Sequence, residues 1–390
     1  MTSKEHNKHT KLARPSYGQF ARNEWAIVGT TCDKIKALAD IIIKELSSSY
    51  KCAYIDAQHS RADEETMLPG KLSSGATIEY TDQINFQQFN YKSSLNTFQY
   101  KQIFNEADVV LVNGNHFEAK AQVVVIDSIK KASLQKRLSQ LTNVQLILLA
   151  DNEDDVFDFI KETLAGWQNI PTFRLSKTNK ILDFFRLQMQ KAKPVLNGLV
   201  LAGGKSVRMG HDKGLIDWHG KEQRYYIADL LADVCNDVFI SCRDDQQQEI
   251  ETSYKVLPDT FIGLGPYGAI LSAFREQPNA AWLVLASDLP LIDKATINYL
   301  VEHRDTSSIA TTFESSFDGL PEPLISIWEP KSYPVLLSFL TQGYSCPRKA
   351  LINSNSTVLK APDADVLMNV NTPEELARAK DILDKKKATA

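Results

Sequence analysis

The sequence predicts an α/β protein made of two doubly wound, three-layer domains, and three observations carry that reading. Short continuous runs of β-branched and aliphatic residues recur along the chain, the pattern of strands buried on both faces. Amphipathic stretches of helical period alternate with them. The alternation stops once, at the polar, proline-ended segment Lys191-Ala192-Lys193-Pro194, and then restarts. A chain of 390 residues has room for two domains that each bury a core. The expected division is a polar tail over 1–23, a first domain over 24–190 and a second over 195–386.

In the first half, Trp25-Ala26-Ile27-Val28-Gly29 reads as a strand. A helix is expected over 33–46, because Ile35, Leu38, Ala39, Ile42 and Ile43 fall at helical spacing. Further strands are expected at 52–56, 109–113, 123–127 and 146–150, with helices at 133–141 and 153–165. A short strand after Pro171 and a helix ending near Gln190 complete this half. The second half gives strands at 196–202, 236–242, 281–287, 308–312 and 323–328, and helices at 221–233, 266–276, 293–303 and 330–341. Val256-Leu257-Pro258-Asp259 ends another strand on a carboxylate. In Thr372-Pro373-Glu374-Glu375, Thr372 is a cap, Pro373 suits the first helical position and Glu375 completes a capping box. Asn369 and Asn371 therefore sit where an extended segment meets a helix N-terminus, a natural place for anions.

Bulk properties exclude some classes. A formal net charge of −4 argues against a general nucleic-acid binder. Five cysteines with no CxxC fit reduced thiols in a cytoplasmic protein better than a disulfide frame or a zinc site. No signal peptide is visible, and no apolar run approaches the roughly 18 residues that a membrane span needs. A soluble, cytoplasmic protein is expected.

The most informative run is 199–214, LVLAGGKSVRMGHDKG. A strand ending in Gly203-Gly204 lets backbone N–H groups approach a polyphosphate, since no Cβ stands in the way. Lys205, Arg208 and Lys213 then supply charge for the phosphate oxygens. The spacing is not GxxxxGK[ST], so this is not an ATPase-type P-loop. Asp288, in Ala286-Ser287-Asp288-Leu289-Pro290, lies at the carboxyl end of a buried strand, where open α/β sheets bind ligands. One carboxylate there can hold Mg²⁺ together with substrate phosphates. Gly263-Leu264-Gly265-Pro266-Tyr267-Gly268-Ala269 is a second glycine-rich entry into a helix.

On these segments, residues 196–384 resemble the molybdenum cofactor guanylyltransferases (the MobA type). The matching signatures are LAGGKSVRMGHDKG, GPYGAI, SDLP, PEPL and MNVNTPEEL. The resemblance implies a Rossmann-like nucleotidyltransferase fold. It puts GTP on Leu201, Ala202, Gly203, Gly204 and Lys213, with Ser241 and Asp259 near the guanine or ribose, and Mg²⁺ on Asp288. Arg208, Gly210, Asp212, Gly265, Asn369 and Asn371 would border molybdopterin or the reacting phosphate. Catalysis would fall to Lys213, Arg208, Asp288, Asn369 and Asn371. Molybdenum-insertion proteins and molybdoenzyme chaperones are the implied partners, with no role for nucleic acid or membrane. The chain departs from the family at Ser241, where an asparagine is usual, and at Ala269, which replaces the second glycine of GPLGG. These departures leave open a molybdopterin cytidylyltransferase or a transferase to another phosphorylated acceptor. A non-catalytic molybdopterin carrier is the third reading, but it has no need of a Mg²⁺ carboxylate.

Residues 24 to about 185 resemble the P-loop adaptor protein that accompanies such enzymes (the MobB type), through Tyr54-Ile55-Asp56-Ala57-Gln58-His59 and Val110-Leu111-Val112-Asn113-Gly114. A phosphate-binding P-loop starting at Gly29 would need glycine at 34, lysine at 35 and serine or threonine at 36. The chain has Lys34, Ile35 and Lys36 there. Asp33 adds an anion that opposes phosphate, and Asn113 stands where the family has glutamate. Asp56 and His59 read as structural or solvated rather than metal-binding. This domain then serves as a scaffold or delivery module without GTPase activity. Residues 1–190 expressed alone are expected to bind no nucleotide at micromolar affinity in calorimetry, while residues 191–390 retain guanylyl transfer. One tight GTP site on the first fragment would overturn that reading.

Overall fold

The computed structural model describes residues 18–57, 68–203, 215–370 and 372–389. Between Ala192 and Lys193 the chain divides into two compact units. No helix among the described residues is long and apolar enough to cross a membrane.

The first unit runs β1 (Glu24–Val28), α1 (Cys32–Leu46), β2 (Cys52–Ile55), β3 (Ile78–Asp82), β4 (Gln87–Tyr91), α2 (Thr97–Ile103), β5 (Val109–Asn113), β6 (Ala121–Ile126), α3 (Lys131–Gln135), β7 (Val144–Leu149), α4 (Asp158–Thr163), β8 (Thr172–Arg174) and α5 (Thr178–Lys191). Its main sheet has the order β2-β5-β1-β6-β7-β8, and every pairing in it is parallel. Strand periodicity explains the layers. Val123 and Val125 of β6 face one way, onto α1 and α5, while Val124 and Ile126 face the other, onto Leu134 and Ile160. A strand with a core on each side carries no polar alternation, so β1, β5 and β6 are buried throughout.

Two expected helices are shorter than their patterns. The stretch 133–141 breaks into α3 and a separate 3₁₀ turn at Leu138–Gln140. The helix expected over 153–165 begins only at Asp158, because Glu153 accepts from Ser128 N and Asp155 from Val156 N. Such local side-chain bonds compete with helix formation. The antiparallel hairpin β3–β4 and helix α2 lie outside the sequence expectation.

The second unit runs β9 (Leu196–Leu201), α6 (Gln223–Ala232), β10 (Val238–Cys242), β11 (Lys255–Pro258), α7 (Pro266–Glu276), β12 (Ala281–Ala286), α8 (Lys294–Glu302), β13 (Ala310–Glu314), β14 (Pro321–Trp328), α9 (Ser332–Thr341), α10 (Pro347–Ile352), β15 (Ser356–Leu359) and α11 (Pro373–Thr389). Its seven strands have the order β11-β10-β9-β12-β14-β13-β15. Helices α6 and α8 pack on one face with Val200, Leu283 and Leu285; α7, α9 and α10 cover the other with Leu199, Trp282 and Val284. This is the three-layer α/β arrangement of a Rossmann-like fold. Only β14 departs from the parallel pattern, running antiparallel to both β12 and β13. The reason is chain length. Residues 315–320 suffice for a reversal, whereas a parallel crossover takes a dozen residues or more.

Candidate active site

Strand β9 pairs in parallel with β10 on one side and β12 on the other. The chain goes outward from β9 to β10 and β11, then crosses back to β12. The order of the sheet therefore reverses at β9, and the crevice beyond its carboxyl end is where an open α/β sheet accepts ligands. Two backbone bonds mark the crevice. Ala202 N donates to Ser241 O at 3.0 Å, and Ser287 N donates to Leu201 O at 3.2 Å. An added Cβ at Gly203 would meet only ordinary contacts, 3.5 Å away on Cys242 and Arg243. Packing among the described residues thus does not demand glycine here.

On the β10–β11 side, Ser241 Oγ donates to Asp259 Oδ1 at 2.6 Å, and Asp259 N donates to Cys242 O at 3.0 Å. Burial pushes the Asp259 carboxyl above the usual range, against the opposing effects of the Ser241 bond and the Arg243 charge. Arg243 Nη1 donates to Gly203 O at 3.0 Å, tying the end of β10 to the segment just beyond β9. Arg243 escaped the sequence reading; its signal was a cation placed immediately after a buried strand.

On the β12 side, Asp288 follows the strand end by two residues, and its carbonyl accepts from Val370 N at 3.0 Å. That bond brings Asn369 and Asp288 to one place. The loop is held from beneath, with Gln223 Nε2 donating to Leu289 O at 2.8 Å and His219 Nε2 to Pro290 O at 2.9 Å. Val370 also packs with Trp218, Leu291, Ala379 and Leu383, an apolar seat for α11. The expected capping box is present: Thr372 N donates to Glu375 Oε2 at 3.0 Å, and Glu375 N to Thr372 Oγ1 at 3.2 Å.

Gly265 precedes α7 at φ 56° and ψ −139°, a backbone region that suits glycine alone. Ser272 Oγ accepts from Thr260 N at 2.8 Å and Phe261 N at 3.3 Å while donating to Gly268 O at 2.7 Å, so α7 pins the loop after β11. Gly204, Arg208, Gly210, Asp212, Lys213 and Asn371 lie outside the described residues. Leu201, Ala202, Gly203, Ser241, Asp259, Asp288 and Asn369 gather at strand ends of the one sheet edge, with Gly265 opening α7 after β11.

Among the described residues no group of three or more His, Cys, Asp or Glu side chains is arranged to hold a metal ion. A single carboxylate at a strand end suits Mg²⁺, which takes one or two carboxylates and completes its shell with phosphates and water. Asp288 fits that donor set.

At the corresponding edge of the first unit, among the described residues, charged side chains pair with one another. Lys34 Nζ bonds Asp127 Oδ2 at 2.8 Å, and Thr30 Oγ1 donates to the same oxygen at 2.6 Å. Burial pushes the Asp127 carboxyl up, but the bonds from Lys34, Thr30 and Ile129 N outweigh it and hold it below the usual range. Lys34 is thus engaged by an anion of the protein. His59 lies outside the described residues.

One substitution checks the loop geometry. A Cβ on Gly268 would fall 2.2 Å from the Phe261 carbonyl oxygen, so the backbone itself must move. Gly268→Ala is expected to lower stability by about 1–3 kcal/mol in denaturant unfolding. Unchanged stability would show that the 259–265 loop is not held against α7 as described.

Residues 198–358 match the MobA-like NTP transferase domain. The chain is 32% identical over 200 residues to a "molybdenum cofactor biosynthesis bifunctional protein" of Synechocystis, covering 51% of this chain and 58% of that protein. It thus spans little more than half the length of that relative. It is 30% identical to a "molybdenum cofactor guanylyltransferase" of Pseudomonas putida over 196 residues, 48% of this chain and 99% of the relative. A "probable molybdenum cofactor guanylyltransferase" of Nostoc is also 30% identical, over 47% of this chain and 89% of its own. Among solved structures, "molybdopterin-guanine dinucleotide biosynthesis protein A" of Archaeoglobus fulgidus aligns with 48% of this chain and 99% of its own, at 23% identity and a TM-score of 0.42. Through its second unit, the chain belongs to the molybdenum cofactor guanylyltransferase family of MobA-like nucleotidyltransferases.

Proposed function

We propose that the second unit transfers the GMP moiety of GTP to the terminal phosphate of molybdopterin, giving the guanine dinucleotide cofactor and pyrophosphate. The observation that carries this reading is the meeting of Gly203, the Ser241–Asp259 pair and the Asp288–Asn369 segment at one sheet edge in a chain of this family. Leu201, Ala202, Gly203, Gly204 and Lys213 are assigned to the triphosphate, and Ser241 and Asp259 to the guanosine side. Arg208, Gly210, Asp212, Gly265, Asn369 and Asn371 are assigned to molybdopterin and the attacking phosphate.

The acceptor phosphate is already an anion, so no protein nucleophile is needed. The chain's own residues act by positioning and by charge neutralisation. Asp288, together with the nucleotide phosphates, would hold Mg²⁺, which when bound would supply charge neutralisation at the reacting phosphate. Asn369 is tied to the Asp288 loop through the neighbouring Val370 amide, which fixes the acceptor side against the donor side.

For the first unit we propose a MobB-like adaptor that does not hydrolyse GTP. Its parallel sheet, the β1–α1 turn at residues 29–31 and the Lys34–Asp127 pair in that turn's neighbourhood support this. A cytoplasmic site of action, with molybdenum-insertion proteins and molybdoenzyme chaperones as partners, goes with this reading.

The test is direct. Asp288→Asn is expected to cut formation of the guanine dinucleotide by orders of magnitude while leaving the unfolding midpoint unchanged. Lys213→Ala removes a charge-assisted contact, for which about 1.5–3 kcal/mol is usual; that is about a tenfold to hundredfold loss in kcat/KM for GTP. Near-normal turnover of Asp288→Asn at saturating Mg²⁺ would sink the metal assignment, and faster transfer from CTP than from GTP would move the activity to a cytidylyltransferase.

A further inference from the structure

The first unit carries a constellation that the transferase reading leaves unused. Three neighbouring strands of its sheet, in the order β2-β5-β1, each deliver one side chain at the carboxyl edge. Asp56 follows β2, His116 lies just beyond β5, and Cys32 opens α1 after β1. The Cys32 Sγ is 3.4 Å from His116 Nε2, and the same nitrogen is 3.7 Å from Asp56 Oδ1. Asn115 Nδ2 donates to Sγ at 3.8 Å.

The carboxylate is firmly placed. Asp56 accepts from Tyr54 Oη at 2.9 Å, Ala57 N at 2.8 Å and Asn113 Nδ2 at 2.8 Å. Burial alone would push its carboxyl up, but these bonds and the Lys36 charge hold it below the usual range. It is therefore ionised at neutral pH and faces the imidazole as an anion. Burial and the same carboxylate push the Tyr54 phenol above its ordinary value, so Tyr54 stays a donor.

We propose that Cys32, His116 and Asp56 form a thiol–imidazole–carboxylate site in which Cys32 is a nucleophile toward small-molecule disulfides. A nucleophile with a base within reach is the core of an activated nucleophile, and here the carboxylate lies beside the same nitrogen that faces the thiol. The step balances as a thiol–disulfide exchange. The Sγ proton passes to His116 Nε2, where it lies between the thiolate and Asp56. The thiolate attacks one sulfur of the disulfide, the Cys32–sulfur bond forms as the original S–S bond breaks, and the departing thiolate takes the proton back from His116. The product is Cys32 as a mixed disulfide and one free small thiol.

Among the described residues, Arg137 Nη2 donates to Asn115 O at 3.0 Å beside the site. Lys34 is engaged by Asp127, Lys36 lies 3.7 Å from Asp56, and Asp33 is exposed on the next residue of α1. Burial pushes the thiols of Cys52 and Cys242 up to about 11 and that of Cys235 up to about 12. Cys346 is exposed and serves as the internal reference.

The test uses the full chain with oxidised glutathione, quenched over time and mapped by mass spectrometry. Cys32 is expected to gain glutathione about tenfold faster than Cys346 at pH 7, and His116→Gln to slow it by about the same factor. Cys32→Ser should remove that adduct and leave the rest of the map unchanged. A Cys32 rate no greater than that of Cys346, or full reactivity in folded His116→Gln, would overturn the proposal.

Discussion

The site depends on one constraint, the reversal of strand order at β9. Because β9 pairs in parallel with both β10 and β12, the loops that follow all three strands leave from the same edge. Gly203, the Ser241–Asp259 pair and the Asp288 loop meet there without any of the three strands having to bend toward the others. Two short ties then set the spacing, Arg243 to the Gly203 carbonyl and Val370 to the Asp288 carbonyl. The buried strands behind the edge fix where the loops start, and each fully buried Val or Leu among them contributes about 1.5–3 kcal/mol toward keeping them there.

The first unit also has a parallel sheet that brings several strand ends together, and there charged side chains meet each other. Lys34 lies on Asp127, and Lys36 is beside Asp56. An exposed ion pair would contribute little, yet Asp127 is wholly buried and also holds Thr30, so Lys34 is committed to a partner within the protein.

Much of the fold was legible because burial on both faces leaves an unmixed apolar run, as in β5 and β6. The start of α7 was legible as well, since Gly265 and Pro266 mark it chemically. What escaped had weaker local signals. Strands β3 and β4 carry Tyr80, Phe89 and Tyr91 among Asn and Gln and leave much of their surface exposed, so neither faces a core that would impose a pattern. The direction of β14 was readable only from the shortness of residues 315–320. In the site, single residues could be picked out by type, but not their partners. Ser241 was visible only as a departure from a family pattern, and its bond to Asp259 requires β10 and β11 to end side by side. The meeting of Asn369 with Asp288 depends on α11 packing against Trp218 and Leu291, a contact between segments far apart in sequence.

Hydrogen exchange of the full chain, with and without GTP and Mg²⁺, tests most directly whether this edge of the second sheet is the nucleotide site. Protection is expected at residues 201–203, 241–243, 259–265 and 287–290, with no change at residues 29–34 of the first unit. Protection centred on residues 29–34, or none at the carboxyl ends of β9 and β12 under saturating GTP, would contradict it.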